Sequence, residues 1–307
     1  MWPFAVALVL VFLLAGAGAF WLLRPQPVPA PQLTTAPVAA APKLDIITAT
    51  ESEIAEHVGT SLTVFRFADN PRILVLDFAS LHEQGEMLNR VAAFIEKAGL
   101  PHDRVLTDHE LDEAIRARGD TVETFYFGHD YAAKSIVRFF AFADNERIQL
   151  TPQEETLRAL LQQQGWFAPD VTAGLISVPA VGSDPRITPS ARAAILRHEL
   201  SHGEFFSEPE YADFTRTFWL TELTESERGA VRNFLANEGY DPADEELMFN
   251  EMQAYLMFTR DPTFFRPDMV GMTPDRLAAL QEHFFAGMPA SWLRDILAGY
   301  AVAASAR

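Results

Sequence analysis

Apolar and polar residues follow recognisable periods along most of this chain. Residues 73–78, ILVLDF, make a short apolar run that fits a buried strand. Ser80 and Glu83 then read S-x-x-E, a capped helix start, and the helix they open runs to about Ala98 and stops at Gly99. Thr107 and Glu110 repeat the signal, with Gly119 as the stop. The aromatic-rich segment ETFYFG, residues 123–128, reads as a strand. Thr151-Pro152 opens another helix with proline in its first position. Residues 175–178 predict a strand, followed by the turn-rich GSDPRITP. Beyond it the period is helical, with helices expected near 189–203, 226–238, 242–259, 274–285 and 290–303. The expected fold class is therefore α+β: a small mixed α/β first half, then a mainly helical second half. No internal repeat is visible.

The amino terminus has a different pattern. Residues 2–23 are an uncharged apolar run, close to the ~20 needed for a helix to span a bilayer. A cleaved signal peptide is the rival reading. No Lys or Arg precedes the run, and it exceeds the roughly 7–15 residues of a signal's apolar core. The expectation is one transmembrane anchor over residues 1–24. Residues 25–42, PQPVPAPQLTTAPVAAAP, then form a Pro/Ala spacer of extended, semi-rigid character, and residues 43–307 form the folded domain. Arg24 after the span favours that side facing the cytoplasm. A domain on the periplasmic or extracytoplasmic side, as in many envelope enzymes, is the placement preferred here.

Composition narrows the chemistry. With 49% hydrophobic and 21% charged residues, the chain is globular rather than disordered. A formal net charge of −18 argues against nucleic acid as a partner, since phosphates need Lys and Arg. There is no cysteine, so there is no disulfide and no thiolate, and any metal has to be held by His, Asp or Glu.

Such a set is present. In RHELSH, His198 and His202 lie four apart with Glu199 directly after the first. Thr188 and Pro189 start their helix, and Ala191, Ala194, Ile195, His198, Glu199 and His202 fall on one stripe. Two imidazoles one turn apart can reach one ion, and Glu199 can contact a water there, the H-E-x-x-H logic of metal-assisted hydrolysis. A third ligand is needed. Glu208, in HGEFFSE, lacks the glycine that would turn the chain back. Glu251 sits in the middle of the apolar stripe Leu247, Met248, Met252, Tyr255 and Phe258, on a helix opened by Asp241-Pro242. A carboxylate buried there has to be protonated, paired or bound to metal.

HELSH, with Asn250-Glu251 on a later helix, resembles the gluzincin branch of the zinc metallopeptidases over residues 188–260. FYFGHDY, LRHELSHGEFF and NEMQAYL are also similar to segments of uncharacterised bacterial membrane-anchored proteins with a peptidase-like site. The resemblance implies a zincin-like second half, zinc as cofactor, His198, His202 and Glu251 as ligands, and Glu199 as general base. It also implies a peptide or protein as substrate. In several gluzincins an Asp four residues after the ligand Glu orients a zinc-bound His. Tyr255 stands there in this chain, to orient more weakly or to point at substrate, and joins Glu199 as a catalytic candidate. Softer candidates are His129, Asp130 and Tyr131 in an expected turn, Tyr240 and His283. Residues 175–178 are considered as an edge strand for the substrate. Two alternatives stay open: a non-catalytic envelope interaction module with a structural or vestigial metal site, and hydrolysis of a non-peptide amide.

Overall fold

The computed structural model describes residues 43–305. Its frame is a five-stranded sheet built from β1 (Ile46–Ala49), β2 (Thr63–Phe67), β3 (Ile73–Phe78), β4 (His129–Ala132) and β5 (Gly174–Pro179). The strand order is β1-β2-β3-β5-β4. β1 and β2 are parallel, as are β3 and β5, while the β2–β3 and β4–β5 pairs are antiparallel.

Strand alternation splits the core into two layers. Val64, Leu74, Leu76, Phe78, Tyr131 and Leu175 face one side, under α2 (Leu81–Ile95), α3 (Asp108–Ala117), α4 (Ala133–Glu146) and α5 (Pro152–Gln163), with the short α1 (Glu51–Glu56) opposite. Phe65, Phe67, Ile73, Val75, Ile176 and Val178 face the other, where they meet Leu196 and Leu200 of the long helix α6 (Pro189–Ser207). The second half continues as α7 (Pro209–Glu222), α8 (Glu225–Glu238), α9 (Glu245–Gln253), a π turn (Ala254–Phe258), a 3-10 turn (Pro267–Val270), α10 (Pro274–Gly287) and α11 (Trp292–Ser305). Its own aromatic and Met-rich core includes Phe205, Trp219, Met252, Leu256 and Phe284. All five strands thus precede residue 180, and the elements that follow among the described residues are helices and helical turns, as the patterning implies.

Four expectations need correction. Residues 123–128 are turns and irregular chain, and the strand begins at His129. The physical cause is where their carbonyls bond. Gln84 Nε2 donates to Phe127 O at 3.0 Å and Lys97 Nζ to Phe125 O at 3.2 Å, in place of a neighbouring strand. His129, Asp130 and Tyr131 are accordingly strand residues, not turn residues. β5 is an interior strand hydrogen-bonded on both sides, so it offers no edge to a substrate; the sheet ends at β4, whose four residues are all buried. Finally, Asp244 rather than Asp241 caps α9, and its side chain accepts from Leu247 N at 3.1 Å. β1, α1, β2, α4 and α7 are further elements, beyond those expected from the patterning. The expected membrane span, residues 2–23, and the spacer, residues 25–42, lie outside the described residues, and no helix among the described residues is long and apolar enough to cross a membrane.

Candidate metal centre

Helix α6 is held in place from both sides. Thr188 accepts from Ala191 N at 3.2 Å and Pro189 supplies the first helical residue. Towards the sheet the helix approaches unusually closely. A β-carbon on Gly174 would lie 3.0 Å from Gly203 Cα, and one on Gly203 would lie 2.9 Å from Ile73 Cδ1. Arg192, fully buried, clamps the helix to the sheet and to α1, donating to Asp77 Oδ1 at 2.9 Å, Pro179 O at 2.5 Å and Ile54 O at 2.8 Å. His57 Nδ1 lies 2.6 Å from the other Asp77 oxygen. The opposite face of α6, bearing His198, Glu199 and His202, packs on α9 and the π turn that follows it.

The three expected ligands converge. His198 Nε2 is 3.1 Å from His202 Nε2, and the two Nε2 atoms lie 3.7 Å from Glu251 Oε2 and Oε1 respectively. A tetrahedral ion with bonds of about 2.0–2.1 Å needs ligand atoms about 3.3–3.4 Å apart. The observed triangle matches that spacing within a few tenths of an ångström.

The protons are arranged for the same purpose. His202 Nδ1 is 2.9 Å from Asn250 Oδ1 and 3.6 Å from Asp130 Oδ1, and His198 Nδ1 is 2.8 Å from Thr259 Oγ1. With each Nδ1 donating to an oxygen, both Nε2 lone pairs face one point. His202 and Glu251 are completely buried, and neither Glu251 oxygen has a hydrogen-bond partner. Tyr240 is near enough to favour the Glu251 anion a little, but burial dominates and holds its carboxyl well above the ordinary range, aided by repulsion from Asp130, Glu96 and Glu199. Burial, then the neighbouring His202, pushes His198 well below its ordinary value. Two imidazole nitrogens facing one point and a buried carboxyl without a hydrogen-bond partner leave a divalent cation as the group that would satisfy all three. The donor set of two nitrogens and one carboxylate suits zinc.

Glu199 stands beside this triangle. One of its oxygens has no hydrogen-bond partner. Burial, then Asp130 and Glu96, raises its carboxyl well above the ordinary range. Space for it exists because residue 128 is glycine: a β-carbon there would sit 2.0 Å from Glu199 Oε1. Asp130, Glu199 and His202 form a second group whose ligand atoms lie close enough together to hold an ion. The His202 nitrogen facing Asp130 already bonds Asn250, so Asp130 acts on that imidazole from outside the triangle.

A cleft of about 370 Å³ opens on His198 and Glu199. Phe125, Phe127, Ile195, Tyr240, Tyr255 and Phe264 are among its walls. The Tyr255 ring meets His198 edge to face, with centroids 4.7 Å apart at 79°. The structure therefore brings together His198, Glu199, His202, Glu251 and Tyr255, all five residues singled out by sequence. The softer candidates separate. Asp130 and Tyr240 join the site. His129 and Tyr131 point to the opposite face of the sheet, bonded to each other at 2.7 Å, and burial pushes His129 down to about 3. His283 pairs with Glu222 on the surface at 3.0 Å. Glu208 caps the junction of α6 and α7 and pairs with Arg72, away from the triangle. Sequence reasoning missed the roles of Thr259 and Gly128, because nothing in their local pattern marks them and only the fold carries them to the site.

No family model, curated protein or solved structure matches this chain.

Proposed function

We propose that residues 43–307 form a zinc-dependent peptidase of gluzincin-like chemistry, hydrolysing peptide bonds with Glu199 as general base. The observation that carries this reading is the buried triangle of His198, His202 and Glu251, at 3.1, 3.7 and 3.7 Å, opening beside Glu199 onto a cleft. Zinc bound there would supply Lewis acidity, polarising a carbonyl and making water acidic near neutral pH. The chain's own residues do the rest. Glu199 takes the proton of the attacking water and passes it to the leaving nitrogen, a role for which a carboxyl with raised proton affinity is suited. The Tyr255 hydroxyl, on a ring that packs against His198, stabilises the oxyanion that develops on the carbonyl. Asn250 and Asp130 orient His202. The aromatic and apolar walls of the cleft suit the side chains of an extended peptide.

An open coordination position separates a working site from an inert one. Among the described residues no fourth His, Asp or Glu joins the triangle, which favours the catalytic reading over a structural site. The proposal includes a membrane tether through residues 2–23 and the Pro/Ala spacer, with the domain outside the cytoplasm; its support is the hydropathy and composition of those residues. Resistance of the full-length protein to alkaline extraction from membranes tests the tether.

The direct test of the chemistry is metal content and cleavage together. Full-length protein should carry about one zinc per chain, the stoichiometry of a single two-His, one-Glu site, and should cleave a fluorogenic peptide library. Glu199→Gln should keep the metal and lose cleavage, and Glu251→Ala should lose both. Parent-level zinc binding by Glu251→Ala would remove the third ligand from the scheme.

A further inference from the structure

A threonine just beyond the end of the Glu251 helix faces one of the ligand histidines, and the helix changes its winding before reaching it. Resting on the reading that His198, His202 and Glu251 hold a divalent metal, we propose that Thr259 is the positioning residue that fixes His198 as an Nδ1-protonated, Nε2-coordinating ligand, and that the π turn Ala254–Phe258 is what delivers it.

Thr259 lies eight residues beyond Glu251. On an uninterrupted α-helix, at 3.6 residues per turn, eight residues leave it about 80° round the axis from Glu251. A π turn closes i→i+5 bonds and so holds about one residue more than an α turn. Eight residues then span the angle of about seven, which returns to the starting face within roughly 20°. The backbone shows that bond: Thr259 N donates to Ala254 O at 3.0 Å. The Thr259 hydroxyl donates to the same carbonyl at 3.0 Å. With its proton so committed, Oγ1 has only lone pairs to offer at 2.8 Å to His198 Nδ1. The nitrogen must therefore carry the proton, and Nε2 is left to face His202 and Glu251. Thr259 and His198 are both buried, so little water competes for the contact.

The arrangement also accounts for Tyr255. It stands four residues after Glu251, where the resemblance expects an orienting acid, but it lays its ring against His198 instead. A hydroxyl reached by the π turn takes over the orienting role. It adds no charge, so Glu251 is the sole anion of the triangle, and it leaves His198 less basic than a carboxylate partner would.

Zinc alone is the probe, titrated into full-length protein in competition with a chromophoric chelator. Thr259→Val, nearly equal in volume, should weaken zinc binding about 10–100-fold, whereas Thr259→Ser should stay within about 3-fold of the parent. Parent-level affinity in Thr259→Val overturns the proposal. Melting of the metal-free variants shows whether they fold. If Thr259→Val does not, ¹⁵N spectra of the zinc-loaded parent decide: zinc on His198 Nε2 with a proton on Nδ1 supports the assignment, and zinc on Nδ1 overturns it. His202→Ala separates the two levels of inference. If it binds zinc like the parent, the metal centre itself is misread and Thr259 falls with it. If it loses zinc while Thr259→Val does not, only the role of Thr259 fails.

Discussion

A β-carbon added at Gly128 would lie 2.0 Å from Glu199 Oε1, 2.7 Å from its Cδ and 3.3 Å from its Cγ. Gly128 does not use a positive φ, so alanine is acceptable to the backbone and the perturbation is confined to that contact. Restoring an ordinary contact of 3.4 Å requires the oxygen to move by about 1.4 Å. Misplacement of a catalytic group by about 1 Å costs on the order of 100-fold, and complete loss of a general base costs up to about 10⁴-fold. If Glu199 is the general base of the proposed peptidase, Gly128→Ala should therefore lower kcat by about two orders of magnitude on a fluorogenic peptide. Zinc affinity should stay within about 3-fold, because no ligand is touched. The combination with Glu199→Gln sharpens the test. If the methyl acts only by displacing Glu199, the double variant should be no slower than Glu199→Gln alone. Unchanged kcat in Gly128→Ala, or a further loss on top of Glu199→Gln, would refute the argument.

Three further outcomes test the scaffold. Arg192→Met leaves Asp77 buried without its guanidinium partner and should cost about 3–5 kcal/mol, read as a fall in the denaturant midpoint. Gly203→Ala forces a methyl onto Ile73 and should cost about 1–3 kcal/mol by overpacking the helix–sheet contact, seen as a lower Tm. Glu227 bonds Arg276 at 2.7 Å, and this partner, with the capping contacts to Thr224, pulls its carboxyl down to about 2 from an ordinary 4.5. Because the folded value is the depressed one, the stabilisation is complete above about 4.5 and disappears as pH falls through about 2. Glu227→Gln keeps the capping geometry but loses the ion pair, so its deficit of up to about 1 kcal/mol at pH 7 should shrink steadily in urea melts below pH 4.5.

Much of this protein can be read from local pattern. Residues 73–78, 152–163 and 189–207 form elements because their apolar period, caps and prolines agree. His198, Glu199 and His202 declare themselves because all three fall on one stripe of a well-capped helix, and Glu251 because a carboxylate in an apolar stripe needs a reason. Where local and tertiary demands diverge, the sequence misleads. ETFYFG has strand composition, yet Gln84 and Lys97 take its carbonyls and turn it into a wall of the cleft. Residues 175–178 read equally well at an edge or in the middle of a sheet, since an apolar run does not record how many neighbours it has. The helix pattern through 242–259 does not announce a π turn, because winding is set by what the helix packs against. The chain by itself determined the candidate ligand residues and their helices. The fold alone brought Thr259, Asp130 and Gly128 to them, because their contribution is position rather than chemistry: a hydroxyl, a carboxylate and a missing methyl matter only at the distances that packing imposes.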